Sequence, residues 1–173
     1  MEDPIYNDDL FIHYTASIIE HMGGRGPGVL EAAREIYDEW ALNHHFEMFD
    51  DAAPVLRSLK QRGLIVGVIS NSHRSLDAFQ AHFAISEFIT TSISSAEHCY
   101  MKPHRSIFEA ALNRAGVPAR QALMVGDSLK ADIEGALAVG MQAVLLRRSG
   151  EVPPVLPAGV DVIHTLADLE KIL

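Results

Sequence analysis

The stretch ALMVGDSLKADIEGALAVGMQAVLL (residues 122–146) decides the fold. Two short apolar runs, 122–126 and 142–146, flank a segment with helical spacing at 130–139. Short, continuously apolar runs of this kind are typical of strands buried on both faces. A strand, a helix and a second strand in succession predict a right-handed crossover within a parallel sheet. Asp127 and Asp132 stand where the first strand ends and the helix opens.

The same alternation extends outward from this unit. It predicts strands at 64–70 and 88–93, a weaker strand at 160–163, and helices at 75–83, 106–115 and 167–173. The first 60 or so residues are helical in pattern. In the first helix the apolar residues fall on one face at helical spacing: Leu10, Phe11, Tyr14, Ile18 and Ile19. A second helix is predicted to run through Ala32, Ile36 and Trp40. A third helix at 51–62 has Val55, Leu56 and Leu59 inward and ends at Gly63. The class is therefore α/β, with a doubly wound parallel sheet.

The composition of the chain narrows the range of functions that it can have. The 173 residues are 48% hydrophobic and 21% charged, which suits one globular domain. The formal charge of -9 argues against nucleic acid and, more weakly, against an anionic membrane surface. No apolar run approaches the roughly 20 residues of a membrane span, and the acidic N-terminus is no signal peptide. The single cysteine, Cys99, cannot form an internal disulfide, so we expect a cytoplasmic protein.

Polar residues follow three of the predicted strands. Ser70 and Asn71 follow the first, Lys102 lies in the loop after the second, and Asp127 and Asp132 follow the third. Ligands of open parallel sheets bind beyond the carboxyl ends of the strands. A hydroxyl and an ammonium suit phosphoryl oxygens, and carboxylates suit a hard cation. These residues predict a site for a small phosphorylated substrate with Mg²⁺.

Each of these residues has an ordinary alternative when taken alone. Asp127 could be only the N-cap of the following helix. Ser70 could be a turn residue, and Lys102 a solvated surface charge. The order and spacing of the three groups favour the functional interpretation.

The chain resembles the haloacid dehalogenase superfamily over about residues 51–173, most specifically in the stretch from MKPHRSIF to QAVLL. The resemblance implies a Rossmann-like core at 51–173 and a helical cap at 1–50. VISNS resembles the second family motif, which makes Ser70 the donor to a phosphoryl oxygen, with Asn71 beside it. The KP of MKPHRSIF resembles the third, which makes Lys102 the residue that steadies the phosphate. GDSLKAD resembles the fourth, which makes Asp127 the direct Mg²⁺ ligand and Asp132 a supporting one. His104 departs from the aspartate that is common after Lys-Pro.

The first family motif, a nucleophile and acid/base pair written D-x-D, is absent. The sequence has eleven aspartates, and no two are separated by a single residue. We therefore expect an N-terminally shortened chain, such as an internal start or an isoform. The resemblance places the missing strand at the centre, between the strands before Ser70 and Asp127. We expect those two inner edges to close on each other, or another chain or an N-terminal segment to fill the slot.

Three functions remain open. The first is a Mg²⁺-dependent hydrolase of phosphate monoesters that acts through an aspartyl-phosphate, here without its nucleophile and therefore inactive. The second is a catalytically inactive protein that serves as a binding or interaction module. The third, a 2-haloacid dehalogenase, is disfavoured because such enzymes need no Mg²⁺ and typically lack the GD form of the fourth motif. The substrate and the oligomeric state are open.

Other polar residues are interpreted structurally. Among the nine histidines, His44 and His45 are adjacent and so share no helix face, and no H-E-x-x-H motif exists. His73 is interpreted as a polar helix start, with a substrate contact as the alternative. Arg147 and Arg148 follow a strand and are interpreted as a solvated pair.

Overall fold

The computed structural model describes residues 8–40, 42–72 and 75–173. The helices are α1 (Asp8–His21), α2 (Gly28–Trp40), α3 (Ala52–Gln61), α4 (Leu76–His82), α5 (Ser95–His98), α6 (Arg105–Ala115) and α7 (Gly135–Ala138). The strands are β1 (Gly67–Ser70), β2 (Thr91–Ser94), β3 (Leu123–Gly126), β4 (Gln142–Leu146) and β5 (Asp161–Ile163). Short 3₁₀ turns span Asn43–His45, Ser86–Phe88, Ala119–Gln121 and Leu166–Lys171, and a π-helical turn, Leu129–Glu134, leads into α7. Within these ranges no helix combines the length and the apolar character needed to cross a bilayer.

All strand pairs are parallel, which confirms the predicted α/β class. They form two sheets in the described chain, β1–β2 and β3–β4–β5. The register aligns Ser70 with Ser94 in the first sheet and Gly126 with Leu145 in the second. Helical segments connect β1 to β2 and β3 to β4, whereas an irregular segment, residues 147–160, connects β4 to β5.

The expected closure of the inner edges is wrong, because β1 pairs only with β2, and β3 only with β4, in the described residues. Thr90 N donates to Val66 O on the β2 side, and backbone groups alternate along a strand, so Ile69 O points away from β2. That carbonyl accepts a hydrogen bond of 2.8 Å from Lys102 Nζ. A lysine side chain thus satisfies part of the inner edge. Residues 1–7 lie outside the described residues, so the expected filling of the slot by an N-terminal segment or by another chain stays a prediction.

Burial follows from strand pairing. The prediction of a strand at 64–70 buried on both faces is wrong, because β1 begins at Gly67, while Leu64 and Ile65 are 41% and 50% exposed. All four residues of β3 are half-buried. Among the described strands only β4 has a strand on each side, and its Ala143, Val144 and Leu145 are buried in succession. The sheet therefore has its best-covered strand at β4.

Two apolar clusters cover the opposite faces of β4. On one face, Ala143 and Leu145 pack with Ile107 and Phe108 of α6 and with residues of the π-helical turn. Ile93 of β2 belongs to the same cluster, so α6 packs on both sheets. On the other face lie Val144 with Val55 of α3, Ile163 and Leu169. The two sheets are therefore joined by a shared core under α6.

The helical N-terminal part packs differently from the prediction. The helices α1 and α2 share a separate cluster whose buried members include Ile12, Ala16 and Ala33. Large apolar residues predicted on the buried face are exposed instead: Leu10 56%, Tyr14 65%, Ile18 43% and Ile36 51%. Phe11 and Ile19, which were predicted on the same face, do pack against this cluster. The predicted inward position of Val55 and the left-handed Gly63 (φ 77) are confirmed.

An ion pair joins α3 to the second sheet. Arg148 donates to both oxygens of Asp51, at 3.0 and 2.8 Å, and Leu166 N donates to the same carboxylate at 2.7 Å. The Arg148 guanidinium also lies over the Phe49 ring, 3.9 Å from its centroid. The hydrogen bond from Arg148 lowers the pKa of Asp51 from its ordinary value of 3.8, against the effect of burial. This pair fixes the chain where it enters the sheet domain.

We expect Asp51→Asn to reduce the free energy of unfolding by about 1–3 kcal/mol at pH 7, because it leaves Arg148 without its bidentate partner. Since the folded-state pKa of Asp51 is lowered, its contribution is present above the ordinary carboxyl value and is lost as pH falls through the lowered value. The difference between parent and variant should therefore shrink in acid. Chemical denaturation at several pH values measures it.

The control is Glu109→Gln, which removes the exposed pair between Arg105 and Glu109 on α6. Their side chains are 70% and 46% exposed, so the loss should stay within about 0.5 kcal/mol. Equal losses in the two variants would contradict the importance assigned to Asp51.

Candidate functional site

The carboxyl ends of β1 and β3 carry the predicted site residues. Ser70 is the last residue of β1, and Asp127 directly follows β3. Lys102 lies in the segment between α5 and α6, and Asp132 lies in the π-helical turn. Hydrogen bonds join Asn71 to Lys102 and Lys102 to Asp132.

Lys102 is the centre of this network. Its side chain is 11% exposed, and its Nζ donates to Asp132 Oδ1 at 2.6 Å as well as to Ile69 O. The Asp132 side chain is only 5% exposed. A buried charge requires such partners, because removing one of them leaves the other unsatisfied in a low dielectric. The alternative of a solvated surface lysine is therefore wrong.

Asn71 holds the backbone of Lys102. Lys102 N donates to Asn71 Oδ1 at 2.7 Å, and Asn71 Nδ2 donates to Lys102 O at 2.9 Å. Both ends of the amide side chain are used in this pairing. The predicted contact of Asn71 with substrate stays a prediction, while the structure gives this residue a positioning role.

Asp132 is held on both oxygens. Besides Lys102 on Oδ1, Ser128 N donates to Oδ2 at 2.9 Å. Gly126 makes this position possible, since a Cβ built there would lie 2.4 Å from Asp132 Cγ. The glycine that precedes Asp127 in the motif is thus needed in part because the Asp132 side chain packs against it.

Asp127 is exposed and differs from Asp132 in its contacts. The N-cap of the π-helical turn is Ser128, whose Oγ accepts from Ala131 N at 3.0 Å, so the alternative that Asp127 is only a helix cap is wrong. The main-chain oxygen of Asp127 accepts from Arg147 Nη1 at 2.7 Å. Among the described residues, no donor occupies its carboxylate. Its oxygens are therefore available to a cation.

The donor set is compatible with the implied Mg²⁺. Magnesium in proteins commonly takes one or two carboxylates and keeps several waters. Asp127 offers free carboxylate oxygens, whereas both oxygens of Asp132 already accept hydrogen bonds. The arrangement therefore suits Asp127 as the direct ligand and Asp132 as the support.

Some predicted residues have other roles. Arg147 and Arg148 are not a solvated pair, because Arg147 holds the loop after β3 and Arg148 binds Asp51. No pattern in the sequence marks these contacts, which join segments distant along the chain. His104 caps α6 by accepting from Ser106 N at 3.3 Å and stacks on Tyr100. Ser70 is half-buried at the strand end, and His73 lies outside the described residues.

Comparison with known proteins gives one matching family model and several related sequences. Residues 6–140 match the sequence model of the haloacid dehalogenase-like hydrolases. Haloacid dehalogenase-like hydrolase domain-containing protein 3 of Homo sapiens is 30% identical over 145 residues, covering 84% of this chain and 58% of that protein. Glyceraldehyde 3-phosphate phosphatase of Methanothermobacter thermautotrophicus is 33% identical over 132 residues, covering 72% of this chain and 58% of that protein.

Among solved structures, a HAD phosphatase from Thermococcus onnurineus is similar with a TM-score of 0.74 and 22% identity. The match covers 99% of this chain and 94% of that chain, and at this identity it supports the fold alone. The chain spans less than two thirds of the length of the two curated relatives.

We expect Gly126→Ala to destabilise the protein by about 1–3 kcal/mol, because the new Cβ would overlap the Asp132 carboxylate. Relief of the overlap must displace Asp132 and with it the Lys102 ion pair. The measurement is the free energy of unfolding from urea titration.

The matched control is Gly28→Ala, at the start of α2, where a Cβ meets no atom within 4 Å. This variant should be neutral or slightly more stable. A Gly126→Ala protein as stable as the parent would show that Asp132 moves freely.

Proposed function

Because the chain belongs to the haloacid dehalogenase-like hydrolases, we propose that its sheet edge binds a small phosphorylated metabolite together with Mg²⁺, as a phosphate monoester hydrolase does. The observation that carries this proposal is the buried Lys102 ammonium, fixed between Ile69 O and Asp132 beside the strand ends. Such a fixed positive charge suits a phosphate dianion. The relative named as a glyceraldehyde 3-phosphate phosphatase favours a sugar phosphate as the substrate class.

Each site residue has a distinct role in the proposal. The Ser70 hydroxyl donates to a phosphoryl oxygen, and Lys102 supplies positive charge with the N–H bond left after its contacts to Ile69 and Asp132. Asn71 sets the position of the lysine through its backbone. Asp127 holds Mg²⁺, with Asp132 behind it. When bound, the ion neutralises charge on the phosphoryl group.

The family resemblance implies that hydrolysis of a phosphate monoester uses the aspartate pair D-x-D. The sequence contains no such pair, and neither Ser70 nor Lys102 can replace a carboxylate nucleophile and its acid/base partner. We therefore propose that this chain binds phosphate and Mg²⁺ but hydrolyses phosphate monoesters slowly or not at all. The alternative is an inactive protein used as an interaction module. The dehalogenase alternative is less favoured, since the free Asp127 carboxylate suits a metal-dependent reaction.

The composition of the chain bears on its partners and on its cellular location. The net charge of -9 disfavours nucleic acid and anionic membranes as partners, and the single cysteine favours the cytoplasm.

We expect Asp127→Asn to abolish Mg²⁺ binding and Asp132→Asn to weaken it less, because both oxygens of Asp132 already accept hydrogen bonds, whereas no donor in the described residues occupies the Asp127 carboxylate. Calorimetric titration of the metal-free chain with Mg²⁺ measures both. The control is Asp161→Asn on β5, an exposed aspartate outside the site. Undiminished binding in the Asp127 variant would overturn the ligand assignment.

We expect inorganic phosphate to bind, and Ser70→Ala to weaken its binding, while p-nitrophenyl phosphate is turned over little or not at all. Loss of a catalytic nucleophile costs about 10⁶-fold in a serine protease. Robust turnover by the pure chain that disappears in an identically prepared Lys102→Ala protein would contradict the proposed inactivity. Absence of phosphate binding would favour the interaction module.

A further inference from the structure

A second cluster of metal-ligating side chains lies in the helical N-terminal part. Glu39 is in the last turn of α2, and His44 and His45 form most of the 3₁₀ turn Asn43–His45 that follows. One ligand atom from each of the three residues lies within 4.8 Å of the other two. In the described part of the chain, this is the one place where three or more acidic, histidine or cysteine side chains converge in this way.

The adjacency of His44 and His45 led the sequence interpretation away from a metal site, yet the structure places both rings beside the Glu39 carboxylate. The two residues share no α-helical face, but they do not lie in an α-helix. The tight turn after α2 brings both rings to the same carboxylate, with their centroids 4.0 Å apart. The turn ends at Phe46, whose N–H bonds back to Asn43 O at 3.1 Å.

The distances suit one small ion. His44 Nε2 lies 3.4 Å and His45 Nε2 2.9 Å from Glu39 Oε1. Ligand atoms about 2.0–2.1 Å from a tetrahedral zinc ion are separated from each other by about 3.3 Å. The first distance already has this value. The second is a hydrogen bond that needs to open by only about 0.4 Å, which exposed side chains do readily.

We propose that Glu39, His44 and His45 form a binding site for a borderline divalent cation of the zinc type, separate from the magnesium site. Two imidazole nitrogens and one carboxylate are ligands that suit Zn²⁺, whereas Mg²⁺ prefers oxygen alone. Three protein ligands leave a fourth position open to water or to an anionic ligand.

An open cleft adjoins two of the three ligands, Glu39 and His45. A cleft of about 560 Å³ is lined by Glu35, Ile36, Glu39 and His45. The three ligand side chains are 59%, 56% and 43% exposed for Glu39, His44 and His45, so an ion can enter from solvent. Glu35, one helical turn before Glu39, adds negative charge to the same cleft. An ordinary surface ion pair would need only one of the two rings.

The test is titration of the EDTA-treated full chain with Zn²⁺ in excess Mg²⁺, so that oxygen-only sites are already occupied. We expect one Zn²⁺ per chain in this site. His44→Ala and His45→Ala should each weaken that binding by at least about tenfold, since even loss of an outer partner of a metal ligand commonly costs 10–100-fold. Co²⁺ in place of Zn²⁺ adds a visible absorption band that reports nitrogen ligation.

The matched control is His82→Ala, an exposed histidine at the end of α4 outside the cluster, which should leave the binding unchanged. Glu39→Gln keeps a side chain of the same shape and should weaken Zn²⁺ without altering the fold. Circular dichroism of the metal-free proteins checks the fold of each variant. Zn²⁺ binding by the His44→Ala/His45→Ala double variant with parental affinity would overturn the proposal.

Discussion

The ammonium of Lys102 is the group on which the sheet edge depends. It is nearly buried, so it must be neutralised by Asp132 and must hydrogen-bond a carbonyl, that of Ile69. Because Ile69 belongs to one sheet and Asp132 lies in the turn after β3 of the other, one side chain ties together two sheets that do not hydrogen-bond to each other in the described residues. The absence of a side chain at Gly126 and the two-way amide pairing of Asn71 are consequences of this single requirement.

The chain combines two kinds of polar site with different physical origins. The sheet-edge site arises from topology, since parallel strands deliver their carboxyl ends to the same side and α6 holds both sheets on one core. The cluster of Glu39, His44 and His45 arises from a local turn after α2 and involves no strand. The first site therefore offers carboxylate oxygens, and the second offers two imidazole nitrogens beside one carboxylate.

Sequence reasoning worked where the local pattern and the tertiary contacts agree. The strand at 142–146 matches β4 because it is paired on both sides and buried on both faces. The strand predicted at 64–70 was too long, because no local pattern reveals that β1 pairs on one side only within the described residues. The buried face of α1 was misjudged because bulky residues dominate the pattern, whereas Ile12 and Ala16 make the contact. The histidine cluster was missed because its geometry depends on a 3₁₀ turn, and the Arg148–Asp51 pair because it joins residues distant in sequence.

The inner edges of β1 and β3 also constrain any extended segment that comes to lie between them. Lys102 contacts Ile69 of β1 and Asp132 in the turn after β3, so a segment that ran between the two strands and parallel to both would end near that ammonium. A carboxylate at that residue would meet a positive charge already in place, whereas an apolar residue there would leave Lys102 with only its present partners. The backbone direction of such a segment would first decide whether it fits between the strands. The charge of the side chain at its C-terminal end would then decide how it interacts with Lys102.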